Sequence, residues 1–407
     1  MLITQLAISL VDISLFVVTL GLLIPITAFF IECTAALFPG RSEAGDVEFS
    51  RPRIAVLIPA HNEASGIGKT LETVVHQLTS QDRLIVIADN CTDETAAIAR
   101  SFGAIALERH DSSRRGKGYA LDYGIQYMES EPPDVVVMID ADCRVEPGAI
   151  ERIASTAITS NRPVQAHYSM APPTNPSPKD LVSALAVMVS NLVRPTGLAK
   201  LGWPCPLSGS GMAFPWAIIR KVSLASGNIV EDLKLGLDLT IAGHPPVFCP
   251  DAKVVASLPQ QQEAAKEQRT RWEHGSLQTL LTQVPHMLKM FMRQRRFEFL
   301  ASALDLSIPP LSLLVMLWVA CMGGALVAGV LGATWIPAIL LAIAGLIIIV
   351  SVIGAWAKFG RSSLPMHTLL AVPFYILWKI PLYLSFIRRP ETKWIRTERN
   401  SIHTPNP

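Results

Sequence analysis

Charged residues are scarce in this chain of 407 residues: they make up 17% of it, whereas apolar residues make up 50%. The formal net charge is only +2, which excludes the strongly basic balance of nucleic-acid-binding proteins, so we expect no nucleic-acid partner. The six cysteines show no CxxC or other metal-ligand spacing, and none of them needs a partner in a reducing compartment. The mean hydropathy of +0.36 is too apolar for an ordinary soluble protein of this length.

The apolar residues are concentrated in uncharged stretches towards the two ends of the chain. Residues 13–31 match the roughly 20 residues that a helix needs to cross about 30 Å of hydrocarbon. A cleaved signal peptide is the alternative, but no basic segment precedes this stretch and no clear small-residue cleavage motif follows it. We therefore expect a retained anchor. Residues 306–357 are also uncharged and are long enough for two spans, with a break at residues 332–337.

The last apolar segment, residues 364–387, is ambiguous because it contains His367, Lys379 and several prolines. Lys358 and Arg361 precede it, and it is followed by the basic residues Arg388, Arg389, Lys393, Arg396 and Arg399. Since basic flanks favour the cytoplasm, this pattern favours an interfacial or re-entrant segment, with a span as the alternative.

Basic residues also flank the central region, with Arg41, Arg51 and Arg53 on one side and Arg293, Arg295 and Arg296 on the other. This pattern predicts an integral protein of the inner or plasma membrane, in contact with membrane lipids, whose central region is cytoplasmic. The predicted parts are an anchor at residues 1–45, a cytoplasmic domain with a C-terminal interfacial helix at 46–300, membrane segments at 301–387 and a basic tail at 388–407.

The central region alternates short apolar runs with helical patterns. The runs at residues 53–59, 83–88, 104–107 and 135–139 predict strands, and the intervening patterns at about 69–78, 96–100 and 118–128 predict helices. Alternation at this spacing predicts an α/β fold with a mostly parallel sheet. A ligand of such a sheet binds beyond the carboxyl ends of its strands.

Two carboxylates, Asp140 and Asp142, follow the strand predicted at residues 135–139. Alternation along an extended chain returns residues two apart to the same side, so we expect these side chains to lie together. Unpaired Asp is costly to bury, and carboxylate oxygens are ligands that hard divalent cations such as Mg²⁺ prefer. Taken alone, the sequence Asp140-Ala141-Asp142 would be interpreted more simply as a solvated turn.

Polar residues also follow the earlier strands. Asp89 ends its strand with an acceptor that suits the imide N–H of uracil, and Glu63, after the first strand, suits a ribose hydroxyl. The loop at residues 114–118 places Lys117 between two glycines at the start of a helix, an arrangement suited to a pyrophosphate. A basic loop by itself is more often merely solvated.

Taken in order, these motifs resemble the membrane-integrated family 2 glycosyltransferases, which include cellulose, chitin, hyaluronan and poly-N-acetylglucosamine synthases and ceramide glucosyltransferase. The first matching pieces are Ile58-Pro59-Ala60-His61-Asn62-Glu63, Asp89-Asn90-Cys91-Thr92-Asp93-Glu94-Thr95, Gly116-Lys117-Gly118 and Asp140-Ala141-Asp142. The later pieces are Ser208-Gly209-Ser210-Gly211-Met212-Ala213-Phe214, Val230-Glu231-Asp232 and Gln268-Arg269-Thr270-Arg271-Trp272. The resemblance covers roughly residues 50–300 in motifs and the flanking segments in layout.

The resemblance implies a GT-A-type fold and metal-dependent, inverting transfer from a nucleotide-sugar, with Mg²⁺ or Mn²⁺ held by Asp140 and Asp142. It makes Asp232 the general base for an acceptor hydroxyl, whereas acids at a helix start are otherwise merely caps. The residues it assigns to the donor are Pro59, Glu63, Asp89, Lys117, Asp140 and Arg271. Those it assigns to the acceptor are Gly209, Gly211, Glu231, Gln268 and Trp272.

Two helical patterns complete the central region. Residues 177–201 carry apolar residues at three- and four-residue spacing, which is typical of a core-packing helix. A second helix is predicted at about 263–284, with Pro285 as its stop. It would carry Gln268, Arg271 and Trp272 on neighbouring positions, although Trp272 taken alone is better read as a packed aromatic residue.

The predicted function is transfer of a sugar, with UDP favoured over GDP, to a polysaccharide of the cell envelope or to a lipid. A processive polymerase would need a channel for the growing chain. Three or four spans are too few to form one, so an export partner or a homo-oligomer would have to contribute to it. A single-addition glycolipid synthase needs only access from the bilayer. Three other classes are disfavoured. The intact site acids argue against a non-catalytic nucleotide-binding scaffold, and the residues after the first strand argue against a sugar nucleotidyltransferase. The absence of acids from the uncharged spans argues against a transporter.

Overall fold

The computed structural model describes residues 2–39, 51–173, 175–225, 230–257 and 262–388. Arg41 and the tail residues Arg389, Lys393, Arg396 and Arg399 lie outside the described residues. The described chain divides into two compact units. The helical unit comprises residues 2–39, 177–201 and 276–388, and the sheet unit comprises the other described residues up to 275.

The elements of the described residues are numbered in chain order. The helices are α1 (Leu2–Leu37), α2 (Ile67–Val75), α3 (Thr95–Ser101), α4 (Lys117–Met128), α5 (Ala149–Ser160), α6 (Pro178–Met188), α7 (Arg194–Leu201), α8 (Trp216–Ile219), α9 (Glu231–Ile241), α10 (Gln262–Gln294), α11 (Phe297–Ser307), α12 (Leu311–Val330), α13 (Ile336–Ala355) and α14 (Val372–Arg388). The strands are β1 (Ile54–Ala60), β2 (Arg83–Asp89), β3 (Ile105–Arg109), β4 (Val135–Met138), β5 (Cys143–Val145), β6 (Val164–Ala171), β7 (Met212–Pro215) and β8 (Val247–Ser257).

The sheet unit is organised around a mixed sheet, which has eight strands in the described part of the chain. Their order is β3-β2-β1-β4-β7-β6-β8-β5. The pairs β3–β2, β2–β1, β1–β4 and β6–β8 are parallel, whereas β4–β7, β7–β6 and β8–β5 are antiparallel. In the register of β1, Ala60 lies opposite Ala88 of β2, and Leu57 lies opposite Met138 of β4. The segments that follow these three strands therefore emerge at one edge of the sheet.

Helices cover both faces of this sheet, and alternation along the strands decides which side chains meet them. On β1, Ile54, Val56 and Ile58 pack into a core with α2, α3 and α5, whereas Ala55 and Leu57 pack into a core with α4, α8 and α9. Since both faces are covered, β1 and β4 are apolar on both sides, as the continuous apolar runs of the sequence predict.

The helical unit contains five helical segments that are long and apolar enough to cross a membrane: Ile8–Leu37, Pro178–Leu201, Leu311–Val330, Ile336–Gly360 and Met366–Phe386. The break predicted near residues 332–337 separates α12 from α13. The second segment consists of α6, a π-helical turn at Val189–Val193 and α7. The segment that the sequence favoured as interfacial contains a 3₁₀ turn at Met366–Ala371 and then α14. The boundaries of the membrane segments remain predictions.

A buried group of charges lies inside the helical unit. The Arg194 guanidinium donates to Glu32 Oε2 at 2.7 Å and to Asp305 Oδ1 at 2.6 Å. Glu32 is fully buried, and within the described residues its Oε1 has no hydrogen-bond partner. α1 and α7 meet closely here, because a Cβ on Gly197 would fall 1.9 Å from the Glu32 carbonyl oxygen. Glu32 is on α1 because that helix extends past the uncharged stretch that ends at residue 31.

Pro285 was predicted to stop a helix, and this prediction was wrong. α10 runs from Gln262 to Gln294 with Pro285 inside it. Proline lacks a backbone donor and clashes with the preceding turn, which makes it costly inside a helix, but it does not oblige the helix to end. The helix that starts at Glu231 and the strands at β1, β2 and β4 lie within two residues of their predicted limits.

Candidate active site

The acids Asp140 and Asp142 lie in the short turn between β4 and β5. Their carboxylate oxygens and the Cys143 sulfur all lie within 4.8 Å of one another. The sequence predicted that the two carboxylates would be close, but for a different reason. β4 ends at Met138, so the turn rather than strand alternation brings them together.

The donor set of this turn fits a hard divalent cation held by two carboxylates. Asp140 and Asp142 are only half-buried, so their oxygens can reach a ligand. Burial, followed by the charges of Asp142 and Asp140, raises the pKa of the Cys143 thiol well above its ordinary value. The Cys143 thiol also donates to Asp142 Oδ1 at 3.7 Å, so it acts as a donor to the carboxylate. Asp140 and Asp142 therefore fit Mg²⁺ or Mn²⁺ better than a thiolate-binding metal.

Lys117 lies beside these acids as the first residue of α4. It follows Gly116, whose φ of +131° is a conformation that a side chain would disfavour. The Lys117 ammonium pairs with Asp140 Oδ1 and donates to the Gly209 carbonyl oxygen at 2.6 Å. Burial alone would lower the pKa of Lys117, but the charges of Asp140, Glu231 and Asp232 raise it above its ordinary value. The ammonium is therefore held charged between the acids.

The loop that contacts Lys117, residues 208–211, lies between the acids of the β4–β5 turn and those of α9. A Cβ built on Gly209 would lie 3.1 Å from Asp232 Oδ2 and 3.9 Å from Asp140 Oδ2. Both carboxyl groups therefore lie within 4 Å of the same point. Gly209 and Gly211 have φ values of +92° and +71°, and a Cβ on Gly211 would come within 2.9 Å of Ala166 and Val254. Glycine is therefore strongly favoured at these two positions.

Glu231 and Asp232 begin α9, as the sequence predicted. Burial, and then the charge of Asp232, raises the pKa of Glu231 to about 7. Burial raises the pKa of Asp232 above its usual value as well, while the Lys117 charge opposes the increase. Asp232 Oδ1 also accepts a hydrogen bond from the Leu233 N–H at 2.8 Å. This pair of acids can therefore exchange a proton near neutral pH.

A pocket that is partly open to solvent lies next to this pair. Its polar side is formed by Lys117, Glu231 and Asp232, and its apolar side includes Leu121, Met212, Leu224 and Leu235. The space beside the acids is therefore accessible from outside, as a reacting group would require.

Asp89 ends β2 at the same edge of the sheet. Arg109 at the end of β3 donates to Asp89 Oδ1 at 2.5 Å, and the Asn90 side chain donates to the same oxygen at 3.0 Å. The His61 ring nitrogen Nδ1 is 2.6 Å from the Asp89 carbonyl oxygen, which joins the ends of β1 and β2. Pro59 lies on β1, and Glu63 lies in the turn that follows this strand. The Glu63 N–H donates to Oγ1 of Thr95, the first residue of α3, at 2.9 Å.

Gln268, Arg271 and Trp272 lie on the first part of α10, where Gln268 is buried and the other two are half-buried. The structure thus gathers Lys117, Asp140, Asp142, Gly209, Glu231 and Asp232 around one loop, with Asp89 and Glu63 along the same sheet edge. The place of the α10 residues in the site remains a prediction.

Arg109 and Gln165 contact this site but were not singled out in the sequence, and Ser210 was named only within a matching piece, without a role. Arg109 holds Asp89, Ser210 Oγ accepts the Asp140 N–H at 3.0 Å, and Gln165 bonds the 208–210 loop. Gln165 offered a signal, because it is a polar residue in an otherwise apolar strand start. Arg109 could have been inferred from its position at the end of the strand next to that of Asp89.

Comparison with known families finds a match to the model described as glycosyltransferase like family 2, over residues 52–275. The 4,4'-diaponeurosporenoate glycosyltransferase of Staphylococcus aureus (strain bovine RF122 / ET3-1) is 32% identical over 122 residues, which cover 29% of this chain and 32% of that protein. The chain thus matches about a third of the length of that relative. Probable glycosyltransferase YdaM of Bacillus subtilis (strain 168) is 25% identical over 258 residues, which cover 61% of this chain and 60% of that protein.

Among solved structures, the chain is similar to the mannosyltransferase PcManGT from Pyrobaculum calidifontis in complex with GDP-Man and Mn²⁺. The match has a TM-score of 0.53 at 20% identity, and it covers 92% of this chain and 99% of that one. At this level of identity the similarity concerns the fold.

Proposed function

Because the chain belongs to glycosyltransferase family 2, we propose that it carries out inverting, metal-dependent transfer of a sugar from a UDP-sugar to a hydroxyl group. The acceptor is a lipid or a polysaccharide at the cytoplasmic face of the membrane. Transfer of a sugar from a nucleotide-sugar follows from the family. The predicted GT-A-type fold with a mostly parallel sheet is confirmed.

One observation carries the proposal: the carboxyl groups of Asp140 and Asp232 lie within 4 Å of the same point beside Gly209. Inversion by direct displacement needs a base on the acceptor side and positive charge on the leaving-group side of one cleft. Asp232 provides the base, and Asp140 and Lys117 lie where the leaving diphosphate would be held. A scaffold that had lost catalysis would not need this pairing.

Asp140 and Asp142 would hold the divalent cation, which neutralises charge on the leaving diphosphate. The Pyrobaculum protein is described with bound Mn²⁺ and GDP-Man, which supports a divalent ion here. Lys117, with its pKa raised, adds a permanent positive charge beside Asp140, and Arg271 of α10 is proposed as a second cation for the diphosphate. Gln268, Trp272, Gly209, Gly211 and Glu231 are proposed for the acceptor side.

The proposed nucleotide base is uracil. Arg109 and Asn90 both bond Oδ1 of Asp89, so the described contacts leave Oδ2 as the acceptor for a base. A single oxygen suits the single imide N–H of uracil, whereas guanine presents two adjacent donors that a carboxylate would meet with both oxygens. Pro59 and Glu63 at the end of β1 are proposed to contact the rest of the nucleoside, Glu63 through a ribose hydroxyl.

The acids of α9 favour a hydroxyl acceptor over a carboxylate acceptor. A second candidate function is that of a glycosyl ester synthase, which would transfer the sugar to a carboxylate. The Staphylococcus relative favours this candidate, because it is named for the carboxylate 4,4'-diaponeurosporenoate. A carboxylate nucleophile needs no base, and it would be repelled by the negative charge that the pair Glu231 and Asp232 carries in its basic form. A hydroxyl must lose its proton, and Asp232 is placed to take it.

The membrane setting of the reaction rests on the five candidate spans and on the basic flanks of the central region. We place the sheet unit in the cytoplasm, at the inner or plasma membrane, where lipid acceptors are accessible. Single addition to a lipid needs no channel. Processive synthesis would require an export partner or a homo-oligomer to share one.

The test uses the full-length enzyme in detergent, supplied with Mn²⁺, radiolabelled UDP-sugars or GDP-mannose, and either a membrane lipid extract or oligosaccharides. The proposal expects metal-dependent label from a UDP-sugar in an alkali-stable product with inverted anomeric configuration. An alkali-labile product would indicate a glycosyl ester. Retained configuration, or no transfer from any donor, would contradict the proposal.

A further inference from the structure

Gln165 is a fully buried amide near the start of β6, with 1% of its surface exposed. Its neighbours on the strand, Val164 and Ala166, are apolar and equally buried. A primary amide has two donors and an acceptor, and burying it without partners is costly. The position therefore needs a specific reason for a glutamine.

The Gln165 amide is bonded to the loop at residues 208–210. Its Oε1 accepts a hydrogen bond from the Ser208 N–H at 2.9 Å, and its Nε2 donates to the Ser210 carbonyl oxygen at 2.9 Å. Nε2 also donates to the Ala166 carbonyl oxygen at 2.9 Å. The side chain thus binds both ends of the segment that contains Gly209.

The segment held in this way contacts Asp140 from two directions. Ser210 Oγ accepts a hydrogen bond from the Asp140 N–H, which fixes the backbone that carries the carboxylate. The Gly209 carbonyl oxygen accepts from Lys117, whose ammonium pairs with the Asp140 side chain. A shift of the 208–210 segment would therefore move both the backbone and the counter-ion of Asp140.

We propose that Gln165 is a positioning residue, which acts through Ser208 and Ser210 to hold Asp140 and Lys117 in the geometry that binds the metal–diphosphate group of the donor. The proposal rests on the proposed function, because it presumes that Asp140 and Lys117 bind that group. Groups that orient metal ligands from behind typically change affinity or activity by about 10- to 100-fold.

A purely structural role predicts a different result from the positioning role. In Gln165→Met the side chain has a similar size but no hydrogen bonds, so the core remains filled while the loop loses its two bonds to this side chain and the Ala166 carbonyl oxygen loses a third. Gln165→Glu keeps the acceptor for Ser208 but sets a carboxylate against the carbonyls of Ala166 and Ser210. The matched control is Val164→Ala, which removes buried volume from the adjacent position of the same strand and touches neither Ser208 nor Ser210 in the described contacts.

The experiment measures binding of UDP with Mn²⁺ by titration calorimetry, and the thermal midpoint, for the full-length wild-type protein and these variants in detergent. We expect about 10- to 100-fold weaker binding in Gln165→Met and weaker binding in Gln165→Glu. Val164→Ala should lower the thermal midpoint and keep wild-type affinity. If Gln165→Met does not fold, Gln165→Glu decides the question.

The outcomes separate this proposal from the proposed function. Asp142→Asn serves as the reference for loss of the metal site. If wild type binds and Asp142→Asn does not, but the Gln165 variants keep wild-type affinity, the positioning role is wrong and the donor site stands. If affinity falls in Val164→Ala as much as in Gln165→Met, the effect is a general loss of structure and the positioning role is overturned. If wild type does not bind UDP with Mn²⁺, both proposals fail.

Discussion

The Lys117 ammonium donates a hydrogen bond to the Gly209 carbonyl oxygen at 2.6 Å, across 92 positions of the sequence. This bond joins the start of α4 to the loop before β7. Since Lys117 also pairs with Asp140, and Asp232 lies beside Gly209, the bond connects the acid proposed for the leaving-group side with the acid proposed as the base.

Gly209→Ala should reduce turnover roughly 100-fold, since small displacements of reacting groups have effects of that order. The added methyl would lie 3.1 Å from Asp232 Oδ2 and 3.7 Å from Lys117 Nζ. The matched control is Gly243→Ala, because Gly243 has a φ of +93° against +92° for Gly209 and no atom of the described residues lies within 4 Å of an added Cβ. Both variants should lose roughly 1–2 kcal/mol of stability from the left-handed conformation. Turnover is measured with saturating donor. An equal loss of turnover in Gly209→Ala and Gly243→Ala would refute the claim that Gly209 matters because it lies beside Asp232 and Lys117.

The pH dependence of kcat/KM should show an acidic limb near pH 7. The pKa of Glu231 is raised to about 7 by burial and by the charge of Asp232, so the pair takes up a proton as the pH falls through that value. Proton uptake removes the base, and activity declines towards low pH. Glu231→Gln removes a second negative charge, which should lower the pKa of Asp232 and shift the limb to lower pH. The control Glu151→Gln, at an exposed position on α5, should leave the acidic limb unchanged. If Glu231→Gln and Glu151→Gln both kept the wild-type limb, Glu231 would not influence the protonation of Asp232.

Asp142→Asn should raise the Mn²⁺ concentration needed for half-maximal activity by at least about 10-fold, because even groups behind metal ligands have effects of that size. Cys143→Ala should keep the wild-type Mn²⁺ titration and lose on the order of 1 kcal/mol of stability, since the thiol is buried, donates to Asp142 and acts as packing. Activity titrated with Mn²⁺ after chelator treatment measures both. A shift in the titration of Cys143→Ala would make the sulfur a ligand.

Arg194→Met should destabilise the helical unit by about 3–5 kcal/mol, because it leaves the buried carboxyl groups of Glu32 and Asp305 without a cation. The matched variant carries Arg194→Met together with Glu32→Gln and Asp305→Asn, which removes the charges as a group and should recover most of the loss. Thermal unfolding in detergent compares the two. A single variant as stable as wild type would show that these ion pairs contribute nothing to stability.

Much of the sheet unit could be predicted from the sequence because its signals are local. The apolar runs of β1, β2 and β4 are buried on both faces, and the motifs that follow these strands emerge at one edge of the sheet. The closeness of Asp140 and Asp142 was predicted as well, although a turn produces it rather than the strand.

The parts that could not be predicted depend on contacts between distant segments. Gln165 is 43 positions from Ser208, and Arg109 is 20 positions from Asp89, and no periodicity joins either pair. Arg194 bonds Glu32 across 162 positions. The continuation of α10 through Pro285 was also missed, because local propensity is outweighed when the rest of a long helix is stabilised by packing. The roles of the site residues remain predictions that the variants above test.

The most direct test of the account is sugar transfer by Asp232→Asn, measured beside binding of UDP with Mn²⁺. The amide has nearly the same size as the carboxylate but cannot take a proton, so we expect kcat to fall about 10²- to 10⁴-fold with donor affinity unchanged. Asp251→Asn, at an exposed position on β8, is the control and should transfer sugar at the wild-type rate. Wild-type turnover in Asp232→Asn would contradict the central claim that this carboxylate frees the acceptor hydroxyl beside the metal-binding acids.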